Sequence, residues 1–272
     1  MRLDVARSQE GTAFMNSQSA VASPQFEFIK PLWTALLGPP WFVSLVFFAI
    51  IAAVRFFAVF SPYSLQELFF LQTVAMWAAP FFLLTASGRR DIGLSQLGIT
   101  PRSIFLSVLA GSVCGLVLFG LGMILYGDSP NNWCVSIHNY LHLDEMRGLL
   151  PPVGLFALYT LPAIFMNPVG EEILFRGIVQ QAFARRFNPA FATIVNSLLF
   201  ALIYLCLHGV WRDASGFHIR IVSASTAVFL LACTGGVYTL CRMLSGTLWT
   251  AMAAHAAFNL TVLALTIHQF LR

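Results

Sequence analysis

Three ionisable side chains crowd one short apolar stretch, Gly170-Glu171-Glu172-Ile173-Leu174-Phe175-Arg176. A charged group at mid-membrane costs about 2.5–3.5 kcal/mol on an insertion scale, so three within two turns demand a use. On a helix Glu172 and Arg176 stand at i and i+4 with the acid N-terminal, the favourable order for an intrahelical pair. Glu171 is rotated by about 100° from Glu172 and has no partner within its own turn. One carboxylate is therefore expected to be neutralised and held, and the other to be free for chemistry.

The partners available to Glu171 are few. Downstream, Phe200, Tyr204 and His208 recur at spacing four, and His255 and Asn259 are again i and i+4. A lone histidine in a helix is more often a hydrogen-bonded core residue than a catalyst. Two histidines and an asparagine on separate apolar helices beside Glu-Glu-x-x-x-Arg reverse that reading, because polar groups in lipid must converge to be satisfied. A desolvated carboxylate near a second one is a stronger general base near neutral pH than one in water. An imidazolium or an amide can donate to a developing oxyanion. No serine or cysteine here is paired with a base, and Cys206 lies on a different helix face from His208, so a covalent mechanism is disfavoured. The mechanistic rival is zinc on Glu171, His208 and His255, a His₂Glu set with an open position for water. The expectation is no cofactor, with zinc as the alternative.

The elements that must carry these residues are membrane helices. Of 272 residues 58% are hydrophobic and only 10% charged, against about 25% charged in a soluble domain, and the mean hydropathy is +0.79. The fold class expected is all-α, a polytopic bundle of about seven transmembrane helices, six to eight. The spans read as about 36–60, 65–86, 103–126, 150–183, 189–211, 221–242 and 247–270. Residues 1–30 are a polar tail, 31–148 hold the first three spans with an external loop, and 149–272 form the core that carries the motifs. The fourth span is overlong for one crossing, and Pro151, Pro152, Pro162 and Pro168 predict a bent or partly re-entrant path. Gly111, Gly115, Gly120 and Gly122 allow close helix approach. Residues 92–99 are expected to lie along the interface. Arg55, near the end of the first span, is expected to snorkel.

His138 and His142 in the longest polar loop could hold zinc, but without the glutamate of an HExxH pattern an amphipathic surface helix is the favoured reading. Nine Lys and Arg lie on the N-terminal side and four on the other. The count argues for a cytoplasmic N-terminus in the cell inner or plasma membrane. The net charge of +4 is scattered at span ends, without basic runs, so nucleic acid is not an expected partner. No apolar signal-peptide core is seen in residues 1–30, and no repeat period recurs.

Glu171-Glu172-x-x-x-Arg176, Tyr204-x-x-x-His208 and His255-x-x-x-Asn259 resemble, in order and spacing, the three motifs of the CPBP family of intramembrane proteases. That family is related to the CAAX-processing protease type II and to the bacteriocin-processing Abi proteins. The resemblance spans roughly residues 149–265 and includes Leu174-Phe175-Arg176-Gly177 and Ser245-Gly246-Thr247-Leu248-Trp249. It implies a four-helix catalytic core with its site inside the bilayer, open towards the cytoplasm, and hydrolysis of a peptide bond in a membrane-anchored protein or peptide. By motif position Glu171 would activate water, helped by His208. His255 and Asn259 would hold and polarise the scissile carbonyl, and Glu172 and Arg176 would support. Tyr204 departs from the family's usual phenylalanine, and its phenol could hydrogen-bond within the site. Two other classes fit intramembrane Glu, His and Arg: a transporter, for which inverted repeats are not seen, and a non-catalytic immunity or scaffold protein, which would not require Glu171.

Overall fold

The structure, a computed structural model, describes residues 27–61, 66–94, 99–213 and 215–271. The expected interfacial run 92–99 lies partly outside these residues, as does most of the tail 1–30. At Phe28 and Ile29 the chain is already packed, with Ile29 bridged to Leu84.

Twelve helices and one hairpin follow among the described residues. Helix α1 is Pro31–Leu37, α2 Pro40–Phe60, α3 Gln66–Leu83, α4 Ala86–Asp91, α5 Pro101–Tyr126, α6 Trp133–Tyr140 and α7 Leu143–Arg147. The long α8 spans Pro152–Ala184. Then come α9 (Pro189–Ile203), α10 (Leu205–His208), β1 (Val210–Asp213), β2 (Gly216–Ile219), α11 (Ile221–Ser245) and α12 (Leu248–Phe270). Helices α2, α5, α8, α11 and α12 are long and apolar enough to cross a membrane, and Glu67–Leu83 and Pro189–Ile203 are shorter apolar helices. The chain is nearly all-α and matches a polytopic helical membrane protein.

Proline and glycine set the breaks. Gly38, with φ +98°, and Pro39 separate α1 from α2, so the first span starts at Pro40 and not at Leu36. In α8 the ladder widens twice: Pro162–Met166, which starts at a proline, and Ile173–Val179, which holds none, are π-helical, interleaved with α-helical turns. Such local widening frees backbone carbonyls, which side chains must then satisfy. Asn259 Nδ2 donates to Ala163 O at 2.9 Å and Trp77 Nε1 to Met166 O at 3.1 Å.

The fifth span is shorter than 189–211. Its helix stops at Ile203, a turn at Tyr204 leads into the single turn of α10, and Trp211 belongs to the antiparallel hairpin, opposite His218. β-Propensity of Val210-Trp211 and Phe217-His218-Ile219 wins there, around a polar tip closed by Gly216 with φ +126°.

Helix α12 runs through the centre of the bundle. Gly111 on α5 meets its backbone so closely that a Cβ would overlap the Ala254 carbonyl, and Gly115 approaches Phe258 O. Gly122 faces Asn132 and Trp133 instead, and Gly120 faces open space. Two of the four glycines therefore serve the contact of α5 with α12, and they hold the His255 helix in place.

Candidate active site

Helix α8 brings Glu171, Glu172 and Arg176 to the middle of the bundle, all with no solvent exposure. Arg176 Nη1 donates to Glu172 Oε1 at 2.9 Å, as the i,i+4 spacing predicts. Its Nη2 donates to Gly235 O at 2.8 Å, and its guanidinium lies 4.5 Å from the Phe200 ring centroid and 5.1 Å from that of Tyr238. Gly235 is needed there, since a Cβ would stand 3.0 Å from Arg176 Nη2.

Glu172 also receives His255 from α12, with Nδ1 at 2.8 Å from Oε1. When Nδ1 carries the proton it donates to Glu172, and this fixes the ring with Nε2 facing Glu171 Oε2 at 3.8 Å. That Nε2 is buried and has no partner of its own. Tyr238 stacks on the imidazole at 4.9 Å and Phe200 meets it edge-on at 5.5 Å, so the ring is walled on two sides.

Glu171 is not the solitary carboxylate that its own turn suggests. Arg55, from α2, donates Nη2 to Glu171 Oε1 at 2.7 Å and is 3% exposed. It does not snorkel, because a carboxylate and a polar pocket meet it inside the bundle. The Tyr204 hydroxyl donates to Glu171 Oε2 at 2.7 Å, so the phenol that departs from the family pattern does bond within the site. The charges balance: two carboxylates against two guanidiniums, as burial requires. A carboxylate offers about four lone-pair positions, so Glu171 keeps acceptor capacity beside these two donors.

The remaining motif residues stand further out. His208 stacks parallel to the Tyr204 ring at 5.9 Å, and its buried Nδ1 is unpartnered. It reaches Glu171 through Tyr204 and forms no ion pair with it among the described residues. Asn259 spends its amide on the Ala163 carbonyl of the π-helical segment. Sequence reasoning missed Arg55 as a site residue, although a usable signal existed. It is the only charge in α2, and an intramembrane charge is a functional candidate by default.

The same geometry bears on metal. Glu171 is engaged by Arg55 and Tyr204, and His255 Nδ1 by Glu172. Among the described residues no three His, Cys, Asp or Glu side chains gather as a metal site needs. The set Glu171, His208 and His255 does not fit zinc in this arrangement. Nor do the loop histidines. Helix α6 ends at Tyr140, and His142 takes a left-handed conformation with φ 50°. His138 pairs with Asp144 at 2.9 Å and His142 with Glu145 at 3.4 Å.

Depth follows from helix rise. Arg55 lies 15 residues after Pro40 and Tyr204 15 after Pro189, each about 22 Å from its helix start at 1.5 Å per residue. On α8 and α12 the measure runs the other way: Glu171 lies 19 residues after Pro152 but 13 before Ala184, and His255 lies seven residues, about 10 Å, after Leu248, so the site spans the middle of the bundle. Basic side chains separate between the ends. Lys30, Arg89, Arg185 and Arg242 bond to Phe81, Leu84, Asp91 and Ile92 at one end. Arg212 and Arg220 bond to Phe60 and Pro130 at the other.

Comparison with protein families gives one match. Residues 152–261, from the start of α8 into α12, match the model described as "Type II CAAX prenyl endopeptidase Rce1-like". The segment contains every motif residue above and leaves out Arg55. No curated protein and no solved structure matches the chain.

Proposed function

We propose that this multi-pass membrane protein, whose core matches the CPBP/CAAX protease family, is an intramembrane endopeptidase that cleaves a membrane-anchored protein or peptide with water activated by Glu171. One observation carries the reading. A fully buried carboxylate between two π-helical segments faces, across 3.8 Å, a buried histidine nitrogen with no hydrogen-bond partner. A water beside that pair could bond to both groups. A general base must sit within hydrogen-bond reach of the proton it takes.

In this reaction Glu171 accepts a proton from the water as its oxygen attacks the scissile carbonyl. The proton then passes to the leaving amine, which leaves the new carboxylate and amine as products. His255, oriented by Glu172, shares the water and, when protonated, donates to the oxyanion. Asn259 is one turn from His255. Its amide exchanges the Ala163 carbonyl for the substrate carbonyl. His208 supports Tyr204, which holds Glu171 Oε2. The reaction needs no metal.

Nine basic residues against four orient the N-terminus to the cytoplasm. The family resemblance implies a site open to the cytoplasm, and His255, seven residues after Leu248, lies nearer the end that carries Arg89, Arg185 and Arg242. Accessibility of α7 decides which end faces the cytoplasm.

The activity test is the purified chain in liposomes with a membrane-anchored, prenylated C-terminal tail peptide. Wild type should release the tail, and Glu171→Gln should not. In cells, uncut membrane-anchored precursors should accumulate with Glu171→Gln. Equal cleavage by the two proteins would overturn the role of Glu171.

A further inference from the structure

We infer that Arg55 is a positioning residue of the Glu171 site, supplied by a helix outside the segment that matches the protease family. The inference rests on the function proposed for Glu171.

Three side chains hold the guanidinium. Nη2 donates to Glu171 Oε1 at 2.7 Å. With the Gln72 amide turned so that its oxygen faces Arg55, that oxygen accepts from Nε at 3.1 Å and from Nη2 at 2.6 Å. The guanidinium carbon lies 5.3 Å from the Tyr204 ring centroid. Gln72 is on α3 and is 2% exposed. Two helices upstream of the family match therefore build a polar socket whose charged member ends on the reacting carboxylate.

A buried ion pair is a poor way to gain stability, because an apolar pair of similar volume often does as well. What this pair supplies is orientation. Arg55 fixes Oε1, and the opposite oxygen, Oε2, is left facing His255 Nε2 and the Tyr204 hydroxyl. The two oxygens are thereby given different tasks, one as anchor and one as base. Lysine would keep the charge but not the planar fork that bonds Glu171 and Gln72 together.

The test compares wild type, Arg55→Lys and Arg55→Gln in liposomes, per folded molecule. Arg55→Gln should lower kcat about 100-fold, the loss typical of a 1 Å misplacement, with KM nearly unchanged. Arg55→Lys should recover part of that loss. A merely structural Arg55 would lower yield and Tm and leave kcat per folded molecule alone, and that result would overturn the inference. Thermal stability of Glu171→Gln, Arg55→Gln and the double variant gives a readout without activity. The double variant should be more stable than the sum of the single effects implies, because each single change strands the other charge. Strict additivity would overturn the pairing. If wild type cuts no substrate, the function proposed for Glu171 fails, and the stability cycle still decides on the pair.

Discussion

Arg176→Ala probes how the site is held together. The change removes a guanidinium with no exposed surface that donates to Glu172 and to Gly235 O. It leaves the Glu172 carboxylate buried with His255 Nδ1 as its remaining partner, its other oxygen Oε2 being unpartnered already. Breaking a buried pair from one side costs about 3–5 kcal/mol. The lost backbone acceptor contact and the stacking over Phe200 and Tyr238 add to this without being additive. The expected loss is therefore about 3–5 kcal/mol, a factor of about 10² to 4 × 10³ in the folding equilibrium at about 1.4 kcal/mol per decade. Thermal unfolding in detergent, with membrane yield as a second measure, should show a sharply lower Tm. Removing both charges as Glu172→Gln with Arg176→Met should cost less than Arg176→Ala alone. A folded Arg176→Ala protein with wild-type Tm would refute the argument that Arg176 neutralises Glu172.

Other outcomes follow from single contacts. Tyr204→Phe removes one donor from Glu171 Oε2 and should lower kcat about tenfold, with yield unchanged, in the liposome cleavage assay. Gly111→Leu should split α5 from α12, displace His255 and abolish both folding yield and activity, because its side chain would have to enter the Ala254 backbone. Exhaustive chelation should leave cleavage intact; complete loss restored by zinc would contradict the metal-free route. In a cysteine-free background Glu145→Cys, on α7 with a side chain 79% exposed, should react with an impermeant maleimide from outside intact cells. Reaction only after lysis would reverse the orientation.

Much of the architecture was legible because membrane helices are written in composition, and local pairs in spacing. The Glu172–Arg176 bond follows from i,i+4 geometry, and the convergence of Glu171 with His255 from the shortage of other partners in lipid. The Pro-rich fourth span was expected to bend, but nothing in spacing specifies π-helical turns. The Arg55–Glu171 pair was illegible for another reason. It joins residues 116 positions apart, and one sequence carries no register between distant helices. The snorkelling expectation for Arg55 treated a helix end as a membrane surface, while the bundle folds that end against α10 and the hairpin. Of the hairpin, only Val210 and Trp211 fell within the expected span 189–211, and the short polar run that follows reads equally as a loop. His208 shows the limit of motif spacing: Tyr204 and His208 do stack, but the helix breaks between Phe200 and His208, and only Tyr204 touches Glu171.

The most direct measurement is single-turnover cleavage by the reconstituted protein in ¹⁸O-labelled water, wild type against Glu171→Gln. The account predicts one labelled oxygen in the new carboxylate and a Glu171→Gln rate lower by about 10²–10⁴-fold, the range of a general base. A Glu171→Gln protein that folds, inserts and cuts at the wild-type rate would contradict it.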